Sequence, residues 1–277
     1  MSKGKQVLYK GLRVLVLIIV AAFMLLPLCW IVSTSLRMPK DSFKLPPSFF
    51  PTSFRIENYA EVFKLVPLAK YLRNSIMVTV PATLIQSAVS SSAAYAFARM
   101  RFRGSNALLL LLLSGMMIPV QATVVPLYIL YSKVGLVDTR LAIILPLLIN
   151  PLGIFIIKQQ MQAIPKSYDE AAIIDGASRF KIFTRIILPM SKSSIIVVAM
   201  LTFVSSWNDF FRPLIFITSS DKMTLPIGMT VLNSLSRTSS ISVILAGVVV
   251  SSLPLVLVFI WGKRYLIQGI SLSGIKG

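Results

Sequence analysis

The sequence predicts an all-α polytopic membrane protein with six transmembrane helices, and three observations carry that prediction. Of its 277 residues 56% are hydrophobic and only 13% charged, with a mean hydropathy of +0.81. The apolar residues gather into runs near the length needed to cross about 30 Å of hydrocarbon, which helices span with every backbone group satisfied. The net charge of +19 sits in short basic runs between those segments, the pattern of positive-inside topology rather than of a nucleic-acid footprint. The chain has no His, few carboxylates and one cysteine, Cys29, in an apolar run. That composition leaves no internal disulfide, no cysteine metal site and little material for catalysis.

The elements follow in order, read as one transmembrane domain over residues 1–277. A basic leader, residues 1–13, carries Lys3, Lys5, Lys10 and Arg13 without an acid and places the N-terminus in the cytoplasm. No cleavable signal peptide is expected, because the first apolar run is too long and lacks a small-residue cleavage site. Val14 to Val32 is the first span, with a possible kink at Pro27. Arg37 to Arg73 is a proline-rich outer connection (Pro39, Pro46, Pro47, Pro51) with interfacial aromatics at Phe43, Phe49, Phe50 and Phe54. Asn74 to Phe97 is the second span; its serines and alanines from Ser87 to Ala94 read as close helix packing in preference to ligand contacts. Arg99, Arg101 and Arg103 form a cytoplasmic turn.

Leu108 to about Val125 is the third span, with Gln121 toward its outer half, and Tyr128 to Arg140 an outer surface segment. Leu141 to Ile157 is a fourth span interrupted at Pro146, Asn150, Pro151 and Gly153. Two readings are open there: a plain proline kink, or backbone freed to line a transport pathway. Ser194 to Ile217 is the fifth span and holds Asn208 and Asp209, with Arg212 three residues on to pair with Asp209. That pair reads either as structural or as a substrate contact. Ser219 to Ser240 is an outer loop, weakly helical from Ile227 to Leu235, and Ile241 to Trp261 the sixth span. With both termini inside, the inner segments hold sixteen basic and three acidic residues and the outer ones twelve and six, a modest bias in the expected direction.

The loop over residues 158–192 organises the rest. Ser167 and Glu170 have the spacing of a capping box. The helix they open runs to about Asp175, Gly176 ends it in the left-handed conformation, Ser178 caps a second helix, and Pro189 stops that one. Ala171 and Ala172 leave one side nearly bare for another backbone. Glu170-Ala171-Ala172, three residues, Gly176, nine residues, Ile186, one residue and Leu188-Pro189 match the EAA loop of ABC-importer membrane subunits.

The resemblance extends along the chain. Asn74-Ser75, Met117-Ile118-Pro119, the proline-rich outer loop and the tail from Ser271 to Gly277 look like the smaller membrane subunit of maltose-type carbohydrate importers. It implies an importer permease fold (type I), with the loop between helices 4 and 5 as a coupling helix that sits in a cleft of the ATPase. Glu170, Ala171, Ala172, Asp175 and Gly176 are the coupling candidates. The implied partners are an ATPase dimer that binds ATP and Mg, a second, non-identical permease, an external solute-binding protein and a sugar, in a bacterial cytoplasmic membrane.

The chain itself has no GxxxxGK[ST] phosphate loop, so no ATP site, no other cofactor and no enzyme activity of its own are expected. Gln121, Asn150, Asn208 and Asp209 are the candidates for contacting a hydroxyl-rich substrate along the pathway. The alternatives are an importer for another solute such as glycerol phosphate, amino acids or peptides, an intramembrane lipid enzyme, and a sensor or scaffold binding anionic lipid.

Overall fold

The computed structural model describes residues 3–38, 50, 53–235 and 241–273, with side chains described over 9–38, 50, 53–235 and 241–266. Pro39, Pro46, Pro47, Pro51, Phe43, Phe49 and residues 274–277 of the tail lie outside that set. Among the described residues the structure is helical, without strands. Three helices are long and apolar enough to cross a membrane: α1 (Lys3–Ser35), α3 (Leu68–Arg99) and α14 (Ile241–Ser273). Three bent helix pairs bring the count to as many as six if each pair is one span.

The bends revise the sequence reading. The third span is not a single helix over 108–125. It is α4 (Ser105–Ser114) with a tight turn through Met117, then α5 (Val120–Lys133), bent by 99°. Ile118 and Pro119 are extended there, since proline disfavours helical backbone in the residue before it. The fourth span breaks where expected, between α6 (Arg140–Ile144), its tight turn to Leu147 and α7 (Pro151–Ala163), at a milder 41°. The fifth, expected over 194–217, is α11 (Lys192–Trp207) followed by a break at 208–210 and a short α12 (Phe211–Phe216). The second span begins at Leu68, earlier than its expected start at Asn74.

The contacts divide the chain into two units, residues 1–69 with 228–253, and residues 70–227 with 254–277. In the first, Asn58, fully buried in α2 (Glu57–Leu65), donates from Nδ2 to the carbonyls of Ser35 and Arg37 at 2.8 and 2.9 Å. Ser35 closes α1, and carbonyls of a last helical turn have no partner within the helix. Gly247 of α14 lies against Leu232 of α13 (Leu225–Leu235), where a Cβ would come within 2.8 Å of Leu232 Cδ2.

The second unit holds a polar seam between α3 and α11. Thr202 Oγ1 donates to Gln86 Oε1 at 2.9 Å, Gln86 Nε2 donates to Ser90 at 2.8 Å, and Ser206 bonds Thr79 at 3.2 Å. All of these are buried, so the hydroxyls and amide satisfy one another across the helices. Gly153 of α7 completes the seam: a Cβ there would stand 2.8 Å from Val198 Cγ1 and 2.9 Å from Gln86 Nε2.

Near the start of α3, Asn74 donates to the carbonyls of Asp221 and Met223 at 2.8 and 2.9 Å and accepts from Arg140 at 3.0 Å. Asp138, at a positive φ of 61°, accepts from Lys222 Nζ at 2.6 Å and from the amides of Thr218 and Ser219 at 3.0 and 2.9 Å. The Lys222 ammonium, then the Ser219 hydroxyl and amide, hold the Asp138 carboxyl well below the usual carboxylate range. A carboxylate depressed in the folded state contributes stability above its unfolded pKa of about 3.9, lost as pH falls toward the folded value. Asp138→Asn keeps a side chain that tolerates positive φ and removes the charge. The variant is expected to unfold roughly 2–4 °C lower in detergent at pH 7, with the gap closing as pH falls below about 4. A gap constant with pH would show that the charge contributes nothing.

Candidate functional site

The hairpin over 165–190 is built on α8 (Ser167–Ile174), α9 (Arg179–Ile182), a wider π turn through Ile187, and α10 (Leu188–Met190). The expected capping box at its start does not form. Lys166 is already helical and the Glu170 amide bonds the Lys166 carbonyl at 3.0 Å, so Ser167 sits inside the first turn. Asp169 and Glu170 still fall in that turn, where negative charge suits the exposed amides.

The end of α8 follows the sequence closely. Gly176 has φ +73°. Its amide bonds the Ile173 carbonyl at 2.9 Å and the Ala177 amide bonds Ala172 at 2.9 Å, the paired closure of a Schellman motif. Ser178 then caps α9 by accepting from the Lys181 amide at 3.3 Å. Pro189 does not stop this helix. It lies second in the turn after the π segment, where a missing N–H costs least. The break comes at Ser191, across which the axis bends by 76°.

The hairpin has two different faces. Ala172, Ile182 and Ile187 are buried in one apolar core with Ala94 of α3, Ile157 and Met161 of α7, and Val198 of α11. The bare side expected of the two alanines is therefore half used: Ala172 packs on the chain's own helices, and Ala171 is exposed. Glu170, Asp175 and Gly176 are exposed as well, beside Tyr168, Ile173, Ile174 and Phe180. Ile174 is 85% and Phe180 75% exposed. Apolar side chains grouped this way on a polar loop are the kind of patch that protein or membrane contacts use.

A tether that sequence reasoning missed holds the hairpin to α3. Arg99 Nη1 pairs with Asp169 Oδ2 at 3.2 Å, and Arg99 Nη2 donates to the Ile164 carbonyl at 2.8 Å. Tyr95 donates to the Arg179 carbonyl at 3.2 Å, and its ring lies 4.9 Å from that of Phe183. Nothing local in the sequence pairs residues seventy positions apart. The one available signal was the place of Arg99 at the very end of a span.

The four pathway candidates lie at or beside helix breaks. Gln121 is exposed in the first turn of α5, after the break at Ile118-Pro119. Asn150 caps α7 by accepting from the Gly153 amide at 3.0 Å. Asn208 donates to the Val204 carbonyl at 2.9 Å, and Asp209 pairs with Arg212 at 2.8 Å, as the spacing predicted. Discontinuous helices are where transporters expose such groups, but Asn150, Asn208 and Asp209 already have partners within the chain. A largely apolar groove beside α3 and α11, about 530 Å³ and lined by Ser87, Ser91, Phe183, Pro189 and Ile195 among others, includes none of the four.

Residues 86–272, which contain the hairpin, match the family described as binding-protein-dependent transport system inner membrane component. The chain belongs to this family. It is 34% identical over 230 residues to the arabinooligosaccharides transport system permease protein AraQ of Halalkalibacterium halodurans, covering 83% of this chain and 82% of that one. It is 31% identical over 277 residues to the trehalose/maltose transport system permease protein MalG of Thermococcus litoralis, covering 99% of each. Its fold matches the crystal structure of a bacterial ABC transporter involved in the import of the acidic polysaccharide alginate. That match has a TM-score of 0.79 at 22% identity and covers 96% of this chain and 98% of that one. The protein is thus a multi-pass permease component with the ABC-importer permease fold, and the family resemblance read from the sequence holds.

Proposed function

We propose that this permease moves a sugar or oligosaccharide across the bacterial cytoplasmic membrane by alternating access, driven by ATPase subunits that dock on the α8 hairpin. The carrying observation is the hairpin's division of labour: one face fixed in the core with α3, α7 and α11, the other exposing Ile173, Ile174 and Phe180. A docking element built that way transmits the motion of whatever holds its outer face. ATP and Mg belong to the ATPase partner, and this chain works as one permease domain without an ATPase site of its own. Both termini lie in the cytoplasm. A second, non-identical permease and an extracytoplasmic solute-binding protein complete the assembly.

Glu170, Ala171, Asp175 and Gly176 form the coupling contact, with Ala172 behind them. Gln121, Asn150, Asn208 and Asp209 remain the pathway candidates, and the sugar reading draws support from the carbohydrate names of the similar permeases. A neutral substrate also fits the Arg212 charge being taken up by Asp209. The test is uptake by a strain lacking this chain, offered labelled oligosaccharides, glycerol phosphate and peptides separately. Loss of oligosaccharide uptake alone is expected. Loss confined to glycerol phosphate or peptide would overturn the sugar assignment.

A further inference from the structure

The apolar groove of about 530 Å³ lies between α3 and the bend from α10 into α11. Ala88 and Ser92 of α3, both exposed, line one side, and Pro189, Ile195 and Ile196 line the other. Lys192, the first residue of α11, also lines the groove and is exposed. Its ammonium stands 5.8 Å from the centre of the Tyr265 ring, and the Arg264 guanidinium stands 4.7 Å from the same centre. Arg264 Nη2 also donates to the Tyr265 hydroxyl at 2.8 Å. Ring faces attract cations, so the buried Tyr265 gathers two positive charges at this point. Among the described residues no carboxylate pairs with Lys192, Lys263 or Arg264.

Two spans place these cations at headgroup depth. The α14 sequence is uncharged from Ile241 to Trp261, long enough to cross the hydrocarbon, and continues Gly262-Lys263-Arg264-Tyr265. Aromatic and basic residues at the end of such a run mark a membrane–water interface. Trp261, Lys263 and Arg264 are all exposed there. In α11 the apolar stretch opens at Ile195, three residues after Lys192. The charged end of the groove is therefore interfacial, while Ala88 lies well inside the 32-residue α3.

We propose that this groove holds one anionic phospholipid, with an acyl chain between α3 and α11 and the phosphate on Lys192. Arg264 adds charge beside it. Basic sites between helices at headgroup depth suit such lipids, and the apolar lining suits the chain. A hydroxyl-rich solute would find few partners in the groove. A zwitterionic choline headgroup would bring a cation to a place that already holds two. Pro189 and Lys192 stand on opposite sides of the break at Ser191, so a seated lipid would brace the 76° bend between hairpin and span. The argument uses neither the docking reading nor the choice of substrate.

The test is photo-crosslinking of the intact transporter in detergent, using phosphatidylglycerol with a photoreactive acyl chain and mapping adducts by peptide mass spectrometry. Adducts are expected within residues 87–92 and 188–196, competed by unlabelled phosphatidylglycerol far better than by phosphatidylcholine. Lys192→Gln should weaken binding about fivefold. Lys158→Gln, which removes equal charge away from the groove, should leave it unchanged. Ala88→Leu, which fills the groove and keeps its charge, should abolish the adducts. Adducts elsewhere, adducts that survive Ala88→Leu, equal competition by phosphatidylcholine, or equal effects of the two lysine variants would each overturn the proposal. A photoreactive residue at Ser92 should capture lipid in the same preparation. Capture of a second permease there instead would make the groove a subunit contact and overturn the lipid assignment.

Discussion

Gly176→Asp is expected to reduce substrate-stimulated ATPase activity of the reconstituted transporter about tenfold or more, to near its basal rate. The reason is charge rather than crowding. No atom lies within 4 Å of where a Cβ would stand at Gly176. Its φ of +73° is costly for most side chains, about 1–2 kcal/mol, but Asp and Asn accept it better than others. An added carboxylate would stand next to Asp175, at the negative end of α8 and in the middle of the proposed docking surface. A like-charge or unpaired charge in an interface costs several kcal/mol. Gly176→Asn separates the two effects, because it keeps the tolerated backbone and adds no charge. Coupling should survive in Asn and fail in Asp. Equal failure would place the effect in the backbone, and equal survival would remove Gly176 from the coupling surface.

Gly153→Val is expected to have the largest effect on stability. The added Cβ would meet Val198 Cγ1 at 2.8 Å and Gln86 Nε2 at 2.9 Å. Val198 is short and branched and has no longer arm to swing away. Gln86 is held by its bonds to Ser90 and Thr202, so yielding would break the seam between α3 and α11. Overpacking of this kind costs about 1–3 kcal/mol, and lost bonds add to it. The expected result is a fall of roughly 5 °C or more in the thermal midpoint in detergent. Gly247→Ala is the comparison, since its neighbours are the flexible ends of Leu232 and Met229. It should cost clearly less. Equal losses would mean that the α7 contact is no tighter than any other.

The parts legible in the sequence were those set by local chemistry. Gly176 had to end α8 because only its backbone enters the left-handed region freely, and Ser178 had to cap what followed. The Asp209–Arg212 pair follows from two charges three apart beside an apolar run. Asn150 carried a signal that was read only in part. Asn before Pro, at the mouth of an apolar helix, is the pattern of a cap followed by a first helical residue, and the structure places it there.

This has a practical consequence. Asn150→Ala would lower transport by losing the cap alone, at about 1 kcal/mol, so Asn150→Asp, which keeps the acceptor, is the fairer probe of substrate contact. Contacts distant in sequence were not legible. The Arg99–Asp169 tether, the Gln86–Thr202 bond and the hold of Asn74 on the 221–223 carbonyls depend on how the helices meet. Composition and periodicity say only that the helices exist. The bends at Pro119 and Ser191 are of the same kind: proline marks a weak point, and packing decides how far the chain turns there.

The central claim is that the exposed face of the α8 hairpin is the contact through which ATPase subunits drive the transporter. The most direct measurement is affinity capture of the tagged permease from mild detergent, with its co-purifying chains identified by mass spectrometry. Wild type is compared with a Glu170→Arg, Gly176→Asp double variant. The account predicts an ATP-binding subunit and a second permease with the wild type, and loss of the ATPase alone with the variant, because both substitutions lie on the exposed face and leave the buried core intact. An ATPase retained undiminished by the variant, or absent from the wild type in membranes that contain it, would contradict the account.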